Sequence, residues 1–196
     1  MDYLHPASSH APLSRLVTLA AFLLVGTTGW AAGTPKVLGT DLEYGLIYSS
    51  AGPAADLPHL FSAGLSWGYM VGESDFGMTI LSIDAGYTLI PWMADGSVQH
   101  AFVYGFEFTH MFALGAGWFL IADYGLLFNM LFNSARSDYA FGHDTRLAVG
   151  VGVRLSDAGI LSLLPAWNMV ISPWYGAQEQ RFSYISAVLR MQFIFR

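Results

Sequence analysis

At 196 residues the chain is sized for one domain, and it is 54% hydrophobic with 11% charged residues, less than half the charge of an ordinary globular domain. A formal net charge of −6 argues against nucleic acid as a partner. The absence of cysteine excludes a disulfide framework and a thiolate metal site.

In chain order, the first element is an apolar run from Leu16 to Val25 after Arg15, followed by small residues up to Ala31 and Ala32. This pattern predicts a cleavable secretory signal peptide over residues 1–31, with Gly29 and Ala31 placed for cleavage after Ala31. A short segment, residues 32–39, then leads into the main domain, residues 40–196. A second charge-free run, Ala158 to Gln178, is broken by Pro165 and Pro173 and carries Asn168, which opposes a membrane helix. Elsewhere Asp84, Glu107, Asp123, Arg146, Arg154 and Arg190 interrupt apolar stretches. An Asp or Arg at the centre of a membrane helix costs roughly 2.5–3.5 kcal/mol, so a helical bundle is disfavoured.

From residue 42 onward apolar side chains alternate with small or polar ones over segments of about ten residues, the length and period of a transmembrane β-strand. Eight segments are expected. The first sets Leu42, Tyr44, Leu46 and Tyr48 against Glu43, Gly45 and Ile47; the second sets Phe61, Leu65, Trp67 and Tyr69 against Ser62, Gly64, Ser66 and Gly68. In the third, Leu81, Ile83 and Tyr87 oppose Ser82, Asp84 and Thr88, and in the fourth Phe102, Tyr104, Phe106 and Phe108 oppose Gly105, Glu107 and Thr109. The fifth turns Trp118, Leu120, Tyr124 and Phe128 away from Asp123 and Asn129; the sixth turns Leu147, Val149 and Val151 away from Arg146, Gly150 and Arg154. The seventh, Ala166 to Trp174, is weakened by its prolines. The eighth places Ile185, Leu189, Phe193 and Phe195 opposite Ser186, Arg190 and Gln192.

Energy decides which face meets lipid. Three arginines and several carboxylates share the small-residue face, and an Arg on the lipid side costs roughly 2–4 kcal/mol at the bilayer midplane. That face therefore points inward and the aromatic face outward. A water-soluble barrel with the opposite phase would need an exterior rich in Lys and Glu, whereas the chain has one lysine, Lys36. Links alternate between short (Gly72 to Gly77, Leu114 to Gly117) and longer (Ala51 to His59, Pro91 to His100, Met130 to His143, Tyr175 to Arg181), as periplasmic turns and external loops do. Ser156 to Pro165 breaks the alternation.

By architecture rather than by a shared motif, residues 40–196 resemble the small eight-stranded outer-membrane barrels typified by the OmpX, OmpW and PagL proteins. The resemblance implies an all-β, antiparallel transmembrane barrel in the bacterial outer membrane, monomeric, surrounded by lipid. It also implies insertion by the barrel-assembly machinery, which would read Phe193 and Phe195 in the last strand, although Arg196 departs from the usual aromatic terminus. The expected lumen network comprises Glu43, Asp84, Glu107, Asp123, Arg146, Arg154 and Arg190. If the Pro91 to His100 loop closes symmetrically, Asp84 and Glu107 face each other across a strand pair.

The expected role is non-enzymatic, a narrow porin-like or structural surface barrel with a salt-bridged interior, with no catalytic residues, metal or cofactor, and with a small solute or extracellular ligand as the open partner. Two alternatives come from the resemblance. One is a lipid A deacylase, which uses a His, a Ser two residues on, and a Glu; the nearest spacing here is His143-Asp144-Thr145, without the Ser. The other is OmpW-like passage of small hydrophobic solutes through the wall, where Pro165 and Pro173 would loosen the seventh strand.

Overall fold

The computed structural model describes residues 33–51, 59–91, 98–133, 139–172 and 180–196. Its strands are β1 Lys36–Ala51, β2 His59–Ser74, β3 Gly77–Ile90, β4 Gln99–Gly115, β5 Trp118–Asn133, β6 Tyr139–Arg154, β7 Gly159–Ser172 and β8 Gln180–Phe195. Each pairs antiparallel with the next, and β1 pairs with β8, so the sheet closes into an eight-stranded barrel without edges. The signal peptide expected over residues 1–31 lies outside the described residues.

The strands run beyond the alternating segments read from sequence. β1 starts at Lys36, before the expected boundary at residue 40, and β6 starts at Tyr139, which puts His143 within a strand instead of at the end of a loop. The link expected over Ser156 to Pro165 is a turn at residues 155–158. The Ser156 hydroxyl accepts from the amides of Ala158 (3.3 Å) and Gly159 (3.0 Å), and β7 begins at once. Pro165 had marked a break, yet it sits inside β7 with its ring on the exposed face. The β6–β7 register steps from Ala148↔Ala166 to Val151↔Leu163, and the Pro165 nitrogen, which has no hydrogen to donate, lies in that gap. With this turn shortened, the described barrel has short connections at one end and longer ones at the other.

The β4–β5 hairpin turns through Ala116 and Gly117, with φ of 50° and 79°. Positive φ at both central residues is what a two-residue hairpin needs to match strand twist. Gly77, at the β2–β3 turn, is required for a different reason: a Cβ there would stand 1.9 Å from the Met111 carbonyl oxygen.

The two faces separate as the alternation predicts. Outward side chains are apolar and open, with Leu42, Leu65 and Val149 at 60%, 64% and 60% exposure, while Glu107 and Arg190 on the inner face are 1% exposed. Such an exterior is stable only against hydrocarbon. Polar tips mark its limits. Toward the loops, Tyr44 hydrogen-bonds His59 (2.5 Å), Tyr87 hydrogen-bonds His100, and Trp167 donates to Tyr48 (2.5 Å). Toward the turns, His110 pairs with Thr79 at 3.0 Å. His100 and His110 lie on the outer face of the same strand, and ten residues at about 3.3 Å each, tilted by about 40°, rise roughly 25 Å, the height of a barrel's apolar band.

Inside, the lumen is layered. A buried apolar cluster including Val37, Met70, Met78, Met111, Phe119 and Ile194 fills the turn end. A smaller one, with Ile47, Leu60, Ile90, Val170 and Tyr184, lies toward the loops. Charged side chains occupy the space between.

Candidate functional site

The charged layer is built on strand alternation: inward positions two residues apart point to the same interior. Arg146 (β6) reaches across the barrel to Glu43 of β1 (Nη2 to Oε2, 2.9 Å) and to Glu107 of β4 (Nη1 to Oε1, 3.4 Å), and its Nε donates to Asn168 of β7 at 3.2 Å. Arg190 (β8) forms a fork with Asp41 of β1 (2.8 and 3.1 Å) and pairs with Glu107 (2.7 Å) and Asp123 of β5 (3.0 Å). Glu107 is thus the hub, with one oxygen on each guanidinium. Thr109 donates to Asp123 (2.7 Å) and accepts from Arg190 (3.4 Å), and Asn168 donates to Ser186 at 3.1 Å. These bonds join β1, β4, β5, β6, β7 and β8 through the centre of the barrel.

Of the residues expected in the network, Glu43, Glu107, Asp123, Arg146 and Arg190 meet there. Asp84 is on the same face but not opposite Glu107. The register pairs Asp84 with Gly105 and Glu107 with Ser82, since β3 and β4 pair about a centre one residue earlier than that of the Pro91 to His100 link. Ser82 donates to Asp84 at 3.3 Å. Arg154 stands apart from the network. Although in phase with Arg146, it is exposed at the turn end, with its guanidinium 5.4 Å from the centroid of the Phe119 ring. Phe193 and Phe195 are on the outer face of β8, and Arg196 pairs with Glu73 at 2.5 Å in the open.

Two acids of the charged layer, Asp41 within the network and Asp144 beside it with a hydrogen bond from Tyr184 at 3.4 Å, escaped sequence reading. Asp41 lies two residues before Glu43 and Asp144 two before Arg146, so both share the inward phase, but both fell outside the expected strand limits. Extending each alternating segment by one turn of the period would have found them.

The outer-face chemistry is sparse around the spacing that resembles a deacylase. His143 and Thr145 point outward while Asp144 between them is buried at 4% exposure. The cross-strand neighbours of His143 are Phe128 and Ile171, and those of Thr145 are Leu126 and Met169. None of these apolar side chains can orient an imidazole as a carboxylate does.

Neither a protein-family model nor a curated protein matches the sequence. Solved structures do match the fold. The outer-membrane enzyme PagL superposes with a TM-score of 0.52 at 15% identity, covering 76% of this chain and 97% of that one. Neisserial surface protein A gives 0.53 at 16% identity, covering 79% and 95%. Ail, the attachment invasion locus protein of Yersinia pestis, gives 0.51 at 11% identity, covering 84% and 100%. The closed eight-stranded antiparallel barrel described above is therefore the fold of the small outer-membrane barrels.

Proposed function

We propose that the chain works as an integral barrel of the bacterial outer membrane whose lumen is closed, acting as a structural or surface protein rather than a conduit or an enzyme. The observation that carries this reading is the transverse network: Arg146 and Arg190 cross the barrel to Glu43, Glu107, Asp41 and Asp123. An eight-stranded barrel is just wide enough for its side chains to fill it. Among the described residues, buried apolar clusters lie on both sides of the charged layer and interrupt a polar lining, and the apolar exterior supplies the membrane contact. Location in the outer membrane rests on that exterior and on the shared fold.

The test is conductance of the purified barrel in planar bilayers, paired with a lipid A deacylation assay. Background conductance and unchanged lipid are expected. Stable unitary currents would overturn the closed-lumen reading. Deacylation that disappears in His143→Ala would overturn the non-enzymatic one.

A further inference from the structure

The outer wall of the barrel is not evenly covered. Across the middle of β4 and β5 the outward neighbours are bulky, with Tyr104 opposite Phe128, Phe106 opposite Leu126 and Phe108 opposite Tyr124. Across β8, β1 and β2 the wall drops at two exposed alanines, Ala187 beside Tyr44 and Ala63 beside Leu42. The result is a groove of about 620 Å³ on the outer face, within the range of small-molecule sites, about 300–1,000 Å³. Its lining runs from Leu163 of β7 to Leu89 of β3, four inter-strand steps of about 4.8 Å, or roughly 19 Å.

The walls of this groove are held in place. Tyr44 stacks on His59, with ring centroids 5.6 Å apart, and hydrogen-bonds its Nδ1; Tyr87 hydrogen-bonds Nδ1 of His100. Both tyrosines are thereby tied toward the loop end, and Phe61 packs against Tyr44 at 5.2 Å between centroids, so the alanine floor stays open. A preformed groove spares its occupant the cost of ordering the walls. The face is one that hydrocarbon covers, and a single polymethylene chain can follow a narrow floor. A second barrel is convex and would touch this one along a line, leaving the floor unfilled. The rim toward the loops presents tyrosines and histidines, not lysine or arginine, which suits a zwitterionic phospholipid better than the phosphates of lipid A.

We propose that this groove holds one acyl chain of a zwitterionic phospholipid from the loop-side leaflet, and keeps it when the surrounding lipid exchanges. The proposal rests on the reading of the exterior as membrane-facing. The chain lies over Ala63 and Ala187 between the tyrosine walls, and its headgroup sits near the Tyr44–His59 and Tyr87–His100 pairs.

To test this, the barrel is refolded into vesicles of phosphatidylcholine with added lipid A, extracted in mild detergent, washed by detergent exchange and weighed by native mass spectrometry. One phosphatidylcholine per chain is expected. Ala63→Phe and Ala187→Phe fill the floor, and each should weaken retention about tenfold or more, equivalent to two methylenes no longer buried. Val149→Phe, on the outer face of β6 away from the groove, should leave it unchanged. Heat-shifted mobility on gels establishes that each variant is folded, and Ala63→Leu and Ala187→Leu are read should the larger replacements not fold. An inserted wild-type barrel that retains no lipid would overturn the proposal. So would equal retention by the filled variants, retention of lipid A in preference, or a mass of two chains without lipid. A chain that does not insert into the vesicles at all would overturn the membrane-facing reading itself, and the proposal with it.

Discussion

Replacing Arg190 by Met, which preserves much of the volume but removes the charge, probes the network at its most connected cation. The guanidinium is 1% exposed and touches Asp41, Glu107 and Asp123 at 2.7–3.1 Å. Removing one partner of a buried ion pair costs about 3–5 kcal/mol, mainly because the other charge is left uncompensated. Here a single change leaves three carboxylates without that cation, so the expected loss is at the upper end, about 5 kcal/mol. With a urea slope of about 2 kcal/mol per molar, the unfolding midpoint falls by roughly 2.5 M. The assay is reversible urea unfolding of the refolded barrel in lipid, followed by fluorescence of its tryptophans. Adding Asp123→Asn to Arg190→Met should restore part of the loss, with a coupling energy of about 1–3 kcal/mol. A loss below about 1 kcal/mol for Arg190→Met would refute the claim that this cation holds the charged layer together.

The same assay checks three further expectations. Leu65→Arg, on the open outer face, should cost about 2–4 kcal/mol, whereas Gly64→Ser, inward with its nearest Cβ contact at 3.5 Å, should be nearly neutral. Gly150 cannot serve as that inward control, since a Cβ there would stand 2.1 Å from the Leu163 carbonyl oxygen. Ala116→Gly should raise stability by about 0.5–1 kcal/mol, because Ala116 holds φ at 50° in the hairpin turn, where an L side chain is strained. Arg196→Ala, which removes an exposed pair with Glu73, should change stability by less than about 1 kcal/mol.

The fold was legible because period-two alternation and the cost of charge in lipid are both local properties. Knowing that Glu107 and Arg190 cannot face hydrocarbon settles the phase of β4 and β8 without any knowledge of their neighbours. Strand ends were less legible, since β1 and β6 begin several residues before the alternating segments read from sequence, and Asp41 and Asp144 lie just ahead of those segments. Pro165 misled for a related reason: its missing hydrogen is tolerated in one interrupted stretch of the β6–β7 ladder while the β7–β8 pairing continues through Pro165↔Ala187. Arg154 has the right phase but the wrong height, and height along a barrel depends on register and shear that no single strand encodes.

Register is also where the network's chemistry bears on folding. Hydrophobic alternation rejects slips by one residue, which exchange the faces, but a slip by two keeps every apolar side chain outside. Apart from Lys36 and Thr40 near the start of β1, the outer faces of β1 and β8 are largely apolar and discriminate poorly among such slips. The interior does discriminate: moving β8 by two residues displaces Arg190 by about 6.6 Å along the strand, beyond reach of its observed partners. A buried ion network that adds little net stability can thus select one register. Because the chain has no cysteine, a cross-strand pair placed at Leu42 and Leu189, directly opposite on the outer face, reports this cleanly. Disulfide formation should be near complete with Arg190 present and fall in Arg190→Met combined with Asp41→Asn, Glu107→Gln and Asp123→Asn, since a two-residue slip carries the sulfurs beyond bonding range. Undiminished cross-linking in that neutralised barrel would show that the apolar wall and the turns set the register without help from the charges.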